Sequence, residues 1–307
     1  MEKKITYIAQ EKDAGRCLEN ILKKDMGLTA KEISRAKFRE HGICVNGERK
    51  KVKDRVTPGD TIEVLLETKE EVSEHLVAQA GALCILYEDK DVIVLDKPAG
   101  LVEHPTGAHY ADTLANRLAA YLREKREDSV IRIVGRLDKE TSGVVLAVKN
   151  RAAALRLERQ RESGMFSKTY LAVTEGIPEP HAGWIRTPIG PEPERKGKMR
   201  TYPEALETVN RDGQCSAVKK ASTHYEVLKT KDGRALVRLQ LETGRTHQIR
   251  VHMASLGCPL AGDPLYGNSA EQRMLLHALR LRFLQPFSGK ECLIETQIPK
   301  EFASYFT

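Results

Sequence analysis

The chain has 307 residues. That length allows one large core and a small additional module, because single cores stop growing efficiently at about 250–300 residues. Lys and Arg total 50 against 43 Asp and Glu, and the formal charge of +7 suits a polyanionic partner without demanding one. The six cysteines are scattered without a C-x-x-C pair, which argues against a zinc or disulfide framework and favours reduced thiols.

No stretch approaches the ~20 apolar residues of a membrane span, and the first residues lack the apolar region of a secretion signal. We therefore expect a cytoplasmic protein without membrane contact, and we expect it to be monomeric.

Residues 1–66 carry the pattern of two short helices followed by a hairpin. A helix opens at Thr29, where Glu32 completes a capping box, and we expect it to end at His41-Gly42. Asn46-Gly47 is the strongest short hairpin signal, and the last strand is predicted at Thr61–Leu66. The earlier helix is indicated by apolar residues at helical spacing, namely Leu18, Ile21 and Leu22.

The second of these helices presents a basic surface. Its apolar residues Ile33, Ala36 and Phe38 are available for burial. The segment resembles the S-four-like RNA-binding domain, found in a ribosomal protein and in many RNA-modifying enzymes. The alternative is a solvated basic helix, since a charged helix face usually faces only water. Under the RNA-binding interpretation, the contacts would come from Lys31, Arg35, Lys37 and Arg39.

A charged segment without sustained periodicity, residues 67–82, is predicted to be a linker, and residues 83–307 are predicted to form one large domain. Helices are expected at 113–124 with Asp112 as N-cap, at 152–162 after Asn150, and at 245–256. Short strand-type runs recur around them, at 83–87, 92–95, 144–148, 169–173, 223–228, 235–241 and 274–283.

Asp232-Gly233 joins two of these runs as a hairpin, so part of the sheet is antiparallel. The fold class we predict is α+β, with a long mixed, largely antiparallel central sheet flanked by helices and loops. The small N-terminal α+β domain is added to it.

The most informative loop is Gly135–Gly143, which leads directly into the apolar run Val144–Val148. A polar loop that enters a buried strand can hold Asp138 at the rim of a cleft with its backbone fixed by the core. Taken alone, Asp138 is better interpreted as a turn cap and Arg136 as a surface ion-pair partner.

Further motifs accompany that loop in a fixed order. Together they closely resemble the RluA family of pseudouridine synthases over essentially the whole chain. The motifs are Asp96-Lys-Pro-Ala-Gly100 with His104-Pro105, Lys168-Thr-Tyr-Leu-Ala-Val173, Glu242-Thr-Gly-Arg-Thr-His-Gln-Ile-Arg-Val-His252, Gly262-Asp-Pro-Leu-Tyr-Gly267 and Leu275-Leu-His-Ala278.

This resemblance implies a pseudouridine synthase fold and a role for each matching residue. Asp138 matches the catalytic aspartate, and Arg136 matches an arginine that contacts RNA and helps fill the space left by the flipped nucleotide. Tyr170 matches the tyrosine that packs against the target base. Ile249 matches an apolar residue of the pocket, and Arg250 matches the basic partner of the aspartate.

Gly135 departs from the family pattern, because the position before the arginine is often His. The departure affects an RNA contact and leaves the carboxylate chemistry in place. Arg250 lies at the edge of the apolar face of its helix, where it can point inward and keep Asp138 ionised, although such an arginine more often extends to solvent. The histidines at 247, 252 and 277 are expected to cap or to form hydrogen bonds in the core.

The implied reaction breaks the N-glycosidic bond, turns the base and rejoins its C5 to the sugar, so no cofactor is expected. The carboxylate of Asp138 either attacks C1′ or removes the 2′ proton, and both routes remain open. A metal is not expected, since the chain lacks an H-E-x-x-H pattern.

Two other function classes compete. One is a non-catalytic RNA-binding ribosome-assembly factor, which would have no need of Asp138, Tyr170 and Arg250 together. The other is a glycosidase-like hydrolase, which normally needs a second carboxylate to activate water. The expected partner is RNA, with large-subunit ribosomal RNA favoured over tRNA.

Overall fold

The structure is a computed structural model of the chain. It describes residues 2–67, 76–107, 109–127, 129–195, 197–203, 207–209, 215–268, 271–303 and 305. The chain divides into two compact units, Met1–Glu71 and Val72–Thr307. No helix in the described part of the chain has the length and apolar character needed to cross a bilayer.

The first unit is a four-stranded antiparallel sheet with two short helices. The strand order is β1-β4-β2-β3, so β1, which the sequence did not predict, pairs along its whole length with β4. β1 and β4 are far apart in sequence, so the pairing that stabilises β1 cannot be recognised from the residues of β1 alone. The elements are β1 (Glu2–Ile8), α1 (Leu18–Lys24), α2 (Ala30–Lys37), β2 (Ile43–Val45), β3 (Glu48–Arg49) and β4 (Thr61–Glu67).

The predicted start of α2 and the predicted hairpin are both present. The Thr29 hydroxyl accepts the Glu32 N–H at 3.2 Å, and the Glu32 carboxylate accepts the Thr29 N–H at 2.7 Å. In the turn between β2 and β3, Asn46 and Gly47 have φ values of 52° and 80°. Such left-handed pairs match the twist of a two-residue hairpin.

The predicted end of α2 is wrong, because the helix stops at Lys37 and does not continue to His41. The chain then turns back across the helix end so closely that a Cβ at Gly42 would lie 1.8 Å from the Ala36 carbonyl oxygen. The early stop also overturns the expected burial of Phe38. Its side chain lies outside the helical apolar face and is 78% exposed.

The second unit is built on one large sheet. Its elements are β5 (Cys84–Glu88), β6 (Val92–Lys97), α3 (Leu114–Glu124), β7 (Arg132–Val134), β8 (Ser142–Val148), α4 (Arg151–Glu162), β9 (Ser167–Glu175), β10 (Ala182–Ile185), β11 (Ile189–Pro191), β12 (Met199–Thr201), β13 (Glu207–Val209), β14 (Cys215–Ala217), β15 (Thr223–Lys231), β16 (Arg234–Leu241), α5 (Gln248–Ser255), β17 (Leu276–Leu284), β18 (Glu291–Glu295) and α6 (Lys300–Ala303).

The large sheet is mixed and largely antiparallel, as predicted. Its ten strands run in the order β10-β15-β16-β9-β17-β8-β6-β5, with β18 paired to β17 and β7 paired to β8. The pairing of β17 with β8 is parallel, and the other strand pairs described in this sheet are antiparallel. Since β8 is buried at every position, it lies in the middle of the core.

Two helix starts show how local hydrogen bonds choose the N-cap. Asn150 caps α4 as predicted, because its side-chain oxygen accepts the Ala153 N–H at 2.8 Å. For α3 the predicted cap Asp112 is wrong. Thr113 takes this place, where its hydroxyl accepts the Asn116 N–H and the Asn116 amide oxygen accepts the Thr113 N–H.

The segment after the first unit was predicted as a linker over 67–82. Of these residues, 76–82 pack against α3 in the second unit: Leu76 is buried, and the Asn116 amide donates to the Val77 carbonyl at 2.7 Å. The Arg123 guanidinium also donates to the Leu76 carbonyl at 3.3 Å. The C-terminal part of the predicted linker therefore belongs to the large unit.

Candidate active site

A cleft of about 1030 Å³ opens in the second unit. Its walls come from segments that are distant in sequence. They include residues 102–106, the loop that carries Asp138 before β8, one side of α4, the start of β9, and the residues that join β16 to α5. Asp138, Arg136, Tyr170, Ile249 and Arg250 all line this cleft, so the large unit brings together the five residues that the sequence singled out there.

The loop that carries Asp138 is fixed by its backbone. The Asp138 carbonyl accepts the Thr141 N–H at 3.1 Å, and the Lys139 carbonyl accepts the Gly100 N–H at 2.9 Å. The fully buried Lys97 donates from Nζ to Lys139 O at 2.9 Å, and also to the carbonyls of residues 98 and 101. Burial lowers the pKa of Lys97 to about 8. The Asp138 side chain itself remains 30% exposed.

Two buried side chains of opposite charge hold the same loop just before Asp138. The Glu103 carboxylate accepts the Leu137 N–H at 2.9 Å, and Lys168 Nζ donates to the Gly135 carbonyl at 2.7 Å. Burial raises the pKa of Glu103, although the charge of Lys168 opposes this, and burial lowers the pKa of Lys168 to about 8. We call Glu103 and Lys168 the loop clamp.

The glycine in place of the common histidine has a local explanation. Gly135 has φ +66°, and a Cβ at this position would lie 3.1 Å from the Phe166 ring. A larger residue would therefore meet both a backbone conformation that favours glycine and an aromatic ring. Phe166 lines the cleft on this side.

Arg250 connects two carboxylates, those of Asp138 and Asp263. The contact with Asp138 is the one expected for an arginine that points inward. Its Nη1 lies 3.3 Å from Asp138 Oδ2, while Nε and Nη2 each lie 2.7 Å from the oxygens of Asp263. Arg250 is buried, and the Asp263 side chain is fully buried. Burial opposes the charged guanidinium, but the hydrogen bonds and charge of Asp263 keep the pKa of Arg250 above its usual value.

The start of α5 differs from the prediction in a way that shapes the site. The helix begins at Gln248, not at Arg245, because the Gln248 amide oxygen accepts the Arg245 N–H and the Thr243 hydroxyl. This arrangement holds the preceding residues in a turn. His247, at the N-cap, has a left-handed φ of 55° and points Nε2 towards Asp138 Oδ2 at 3.9 Å.

The other predicted cleft residues have distinct surroundings. Tyr170 on β9 and Ile249 on α5 are 7% and 4% exposed, so they form part of the cleft's apolar floor. Burial raises the pKa of Tyr170, and the charge of Asp138 adds to this effect, so its phenol is neutral. Arg136, in contrast, is an exposed cation at the cleft rim.

The predicted cations of the first unit lie on or just after α2. Lys31, Arg35 and Lys37 are exposed, whereas Arg39 is half-buried beyond the helix end. Phe38 stands among them, with Lys37 Nζ 4.8 Å from its ring centroid. This surface combines exposed positive charge with one exposed aromatic ring.

Comparison with known proteins gives this geometry a context. The family model described as RNA pseudouridylate synthase matches residues 91–255. The ribosomal large subunit pseudouridine synthase D of Neisseria meningitidis serogroup A is 38% identical over 86% of this chain and 71% of that protein. The uncharacterized RNA pseudouridine synthase YjbO of Bacillus subtilis is 34% identical over 91% of this chain and 94% of that protein. The chain belongs to the RNA pseudouridylate synthase family.

Solved structures agree with this assignment at the level of the fold. The human RNA pseudouridylate synthase domain containing 4 matches with a TM-score of 0.58 and 27% identity, over 73% of this chain and 91% of that one. The predicted family resemblance and fold class are thereby confirmed. As a member of the RNA pseudouridylate synthase family, the protein binds RNA and isomerises uridine to pseudouridine.

Several residues in or next to this synthase's cleft had no assigned catalytic role in the sequence prediction. Asp263 and Tyr266 belong to a motif that was recognised only as a motif, and Glu103 and Lys168 carry charges that periodicity cannot place. His247 was expected to cap or to bond in the core. Within the described residues, no group of three or more His, Cys, Asp or Glu side chains is arranged to hold a metal ion.

Proposed function

We propose that this synthase modifies uridines of large-subunit ribosomal RNA and that Asp138 is its catalytic carboxylate. The observation that carries the catalytic assignment is the position of Asp138, which is partly exposed in the cleft and lies 3.3 Å from the buried Arg250. The RNA target is supported by relatives named ribosomal large subunit pseudouridine synthase D in several bacteria, at 34–38% identity. A ribosomal substrate also favours a cytoplasmic location.

The proposed roles follow from what each side chain faces. Asp138 acts on the ribose, either at C1′ or at the 2′ proton, and the Arg250 guanidinium pairs with its carboxylate in the cleft. Tyr170 and Ile249 pack against the base once it is flipped out of the RNA. Flipping costs a few kcal/mol, of which base stacking on an aromatic ring returns about 1–3 kcal/mol.

Two basic regions supply the RNA contacts in this proposal. Arg136 at the cleft rim is placed to approach the strand that carries the flipped nucleotide. Residues 1–66 act as an S-four-like RNA-binding domain through the cations of α2, whose charges favour the phosphate backbone. Phe38 adds a face for stacking on an unpaired base.

The test is a mass-silent conversion assay on RNA transcripts, read as carbodiimide-dependent stops of reverse transcription. We expect wild-type protein to modify large-subunit ribosomal RNA, and Asp138→Asn to abolish the stops while leaving RNA binding intact. The matched control is Asp232→Asn, which makes the same chemical change in an exposed hairpin turn.

Each part of the proposal can fail separately. Full activity of Asp138→Asn would remove the catalytic assignment. Stops confined to tRNA would replace the ribosomal target with tRNA, and binding without stops in either RNA would identify a non-catalytic RNA-binding protein. Release of free uracil from the RNA would indicate a hydrolase.

A further inference from the structure

His247 and Tyr266 form a polar network behind the proposed catalytic carboxylate. The Tyr266 hydroxyl lies 3.1 Å from His247 Nδ1, and the two rings meet edge to face with centroids 5.8 Å apart. His247 Nε2, on the other side of the imidazole, lies 3.9 Å from Asp138 Oδ2. The histidine therefore bridges Tyr266 and Asp138.

The hydrogen-bond pattern assigns the direction of this network. The backbone N–H of Met199 donates to the Tyr266 hydroxyl oxygen at 2.8 Å. The hydroxyl proton is then free to be donated to His247 Nδ1, and in that arrangement Nδ1 is the acceptor. A neutral imidazole carries one proton, so a hydrogen bond accepted at Nδ1 places that proton on Nε2.

The surroundings of the imidazole keep it neutral. Burial lowers the pKa of His247, and the Arg250 cation adds to this effect, while the charges of Asp138 and Asp263 oppose it. The Tyr266 ring is itself held in place by cations, with Arg250 5.1 Å and Lys198 5.4 Å from its centroid.

Both donors that approach Asp138 reach the same oxygen. Arg250 Nη1 lies 3.3 Å from Oδ2, and His247 Nε2 lies 3.9 Å from that atom. The His247 contact is too long for a hydrogen bond here, and catalytic hydrogen bonds that are long or unformed in a free enzyme often tighten when substrate binds. Oδ1 is the oxygen that neither donor approaches.

We propose that Tyr266 fixes His247 in the tautomer with its proton on Nε2, and that His247 and Arg250 together hold Asp138 Oδ2 so that Oδ1 meets the ribose. This proposal rests on the proposed role of Asp138. It makes His247 and Tyr266 positioning residues, because they act on the substrate only through the carboxylate.

The backbone at His247 allows a sharp test. Glutamine carries its N–H donor near the position of imidazole Nε2, whereas asparagine places its amide near Nδ1. The left-handed φ of 55° favours asparagine over glutamine. A purely structural role therefore predicts that His247→Asn is the more stable and more active variant, and the positioning role predicts that His247→Gln is the more active one although it is less stable.

The first measurement is nuclear magnetic resonance of the imidazole nitrogens in full-length protein labelled with ¹⁵N at histidine, without RNA at pH 7.5. The His247 signals are identified by their loss in His247→Gln. We expect a neutral ring with the proton on Nε2 in the wild type, and a mixture of both tautomers in Tyr266→Phe. A proton on Nδ1, a charged ring, or an unchanged tautomer in Tyr266→Phe would overturn the proposal.

The second measurement is single-turnover pseudouridine formation. Tyr266→Phe should lower the rate about fivefold, the effect of one ordinary hydrogen bond, without changing RNA affinity. His247→Gln should exceed His247→Asn in rate, and the reverse order would leave only a structural role. If these results are not obtained and Asp138→Asn is inactive, this inference alone is rejected. If Asp138→Asn is active, the proposed function on which the inference rests is rejected.

Discussion

Positive charge is used in two different ways on α2 and around the cleft. On α2, Lys31, Arg35 and Lys37 are exposed and lie on one short helix. Around the cleft, Lys168 and Arg250 are buried, and each has acceptors at 2.7 Å. Exposed charges act at distances over which dissolved salt screens their interactions, whereas buried charges act on particular atoms at short range. We therefore expect the cleft cations to control the rate and the α2 cations to control affinity.

The largest effect is expected from Asp263→Asn, which removes the charge that anchors Arg250. Breaking a buried ion pair typically costs about 3–5 kcal/mol, and misplacing a catalytic group by about 1 Å can cost about 100-fold in rate. We expect a lower melting temperature and at least a ~100-fold loss of single-turnover rate. Circular dichroism and the conversion assay measure the two.

A double variant separates stability from chemistry in this test. Arg250→Met with Asp263→Leu replaces the pair by apolar side chains, which is often neutral for stability. We expect it to melt near the wild type and to remain inactive. Asp112→Asn, an exposed aspartate outside the cleft, serves as the control. An active double variant would show that Arg250 has no part in the reaction.

The next effect is expected from the loop clamp. Lys168→Met removes the donor to the Gly135 carbonyl and leaves the loop before Asp138 held by Glu103 and Lys97. We expect about a tenfold lower rate with unchanged RNA affinity, because the Asp138 carboxylate would be modestly misplaced. Lys139→Met, an exposed lysine of the same loop, is the matched control. Equal losses in both variants would mean that the charge contacts RNA and does not position the loop.

A third test compares a buried with an exposed histidine. His277 bonds to the Ser142 hydroxyl at 2.8 Å, and burial, with Arg273 adding to it, lowers its pKa to about 4. The unfolded imidazole takes up its proton near pH 6.5, so between pH 6.5 and 4 the unfolded state binds more protons and acidification favours unfolding. Between pH 7.5 and pH 5, the titration of this group lowers the free energy of unfolding by about 2 kcal/mol.

The measurement is the difference in melting temperature between pH 7.5 and pH 5. His277→Asn should show a smaller difference than the wild type, because the buried imidazole no longer titrates. The same substitution at the exposed His41 in the first unit should leave the wild-type difference in place. An equal acid sensitivity in all three proteins would assign it to other groups.

The fold was predictable where the signal is local. Periodicity located the main strands of the large sheet, and side-chain capping predicted the start of α2 and of α4. The errors came from interactions that are distant in sequence or from competing caps. The close approach of Gly42 ends α2 early, Thr113 caps α3 in preference to Asp112, and β1 depends on pairing with β4.

The site was predictable to the extent that motifs carry it. The expected approach of Arg250 to Asp138 is present in the structure. Asp263 was missed because a helical pattern cannot reveal which carboxylate across a turn will meet an arginine. His247 was expected to cap or to form hydrogen bonds, but its approach to Asp138 was not predicted, because its left-handed backbone interrupts the helical pattern that the residues after it continue. The sequence therefore predicted the residues that line the cleft better than the residues that hold them in place.

The smallest effect is expected for single cations of α2. Lys37→Gln removes one exposed charge, which in the proposed complex neutralises one RNA phosphate. The magnitude of the slope of log affinity against log salt should therefore fall by about 0.7–0.9. We expect weaker binding to all RNA sequences alike at low salt, and a single-turnover rate at saturating RNA that equals the wild type. The comparison is with Lys90→Gln, an exposed lysine of the second unit. A fall in the saturated rate for Lys37→Gln would contradict the division between affinity and rate, since it would show that an exposed cation of the first unit acts on the chemical step.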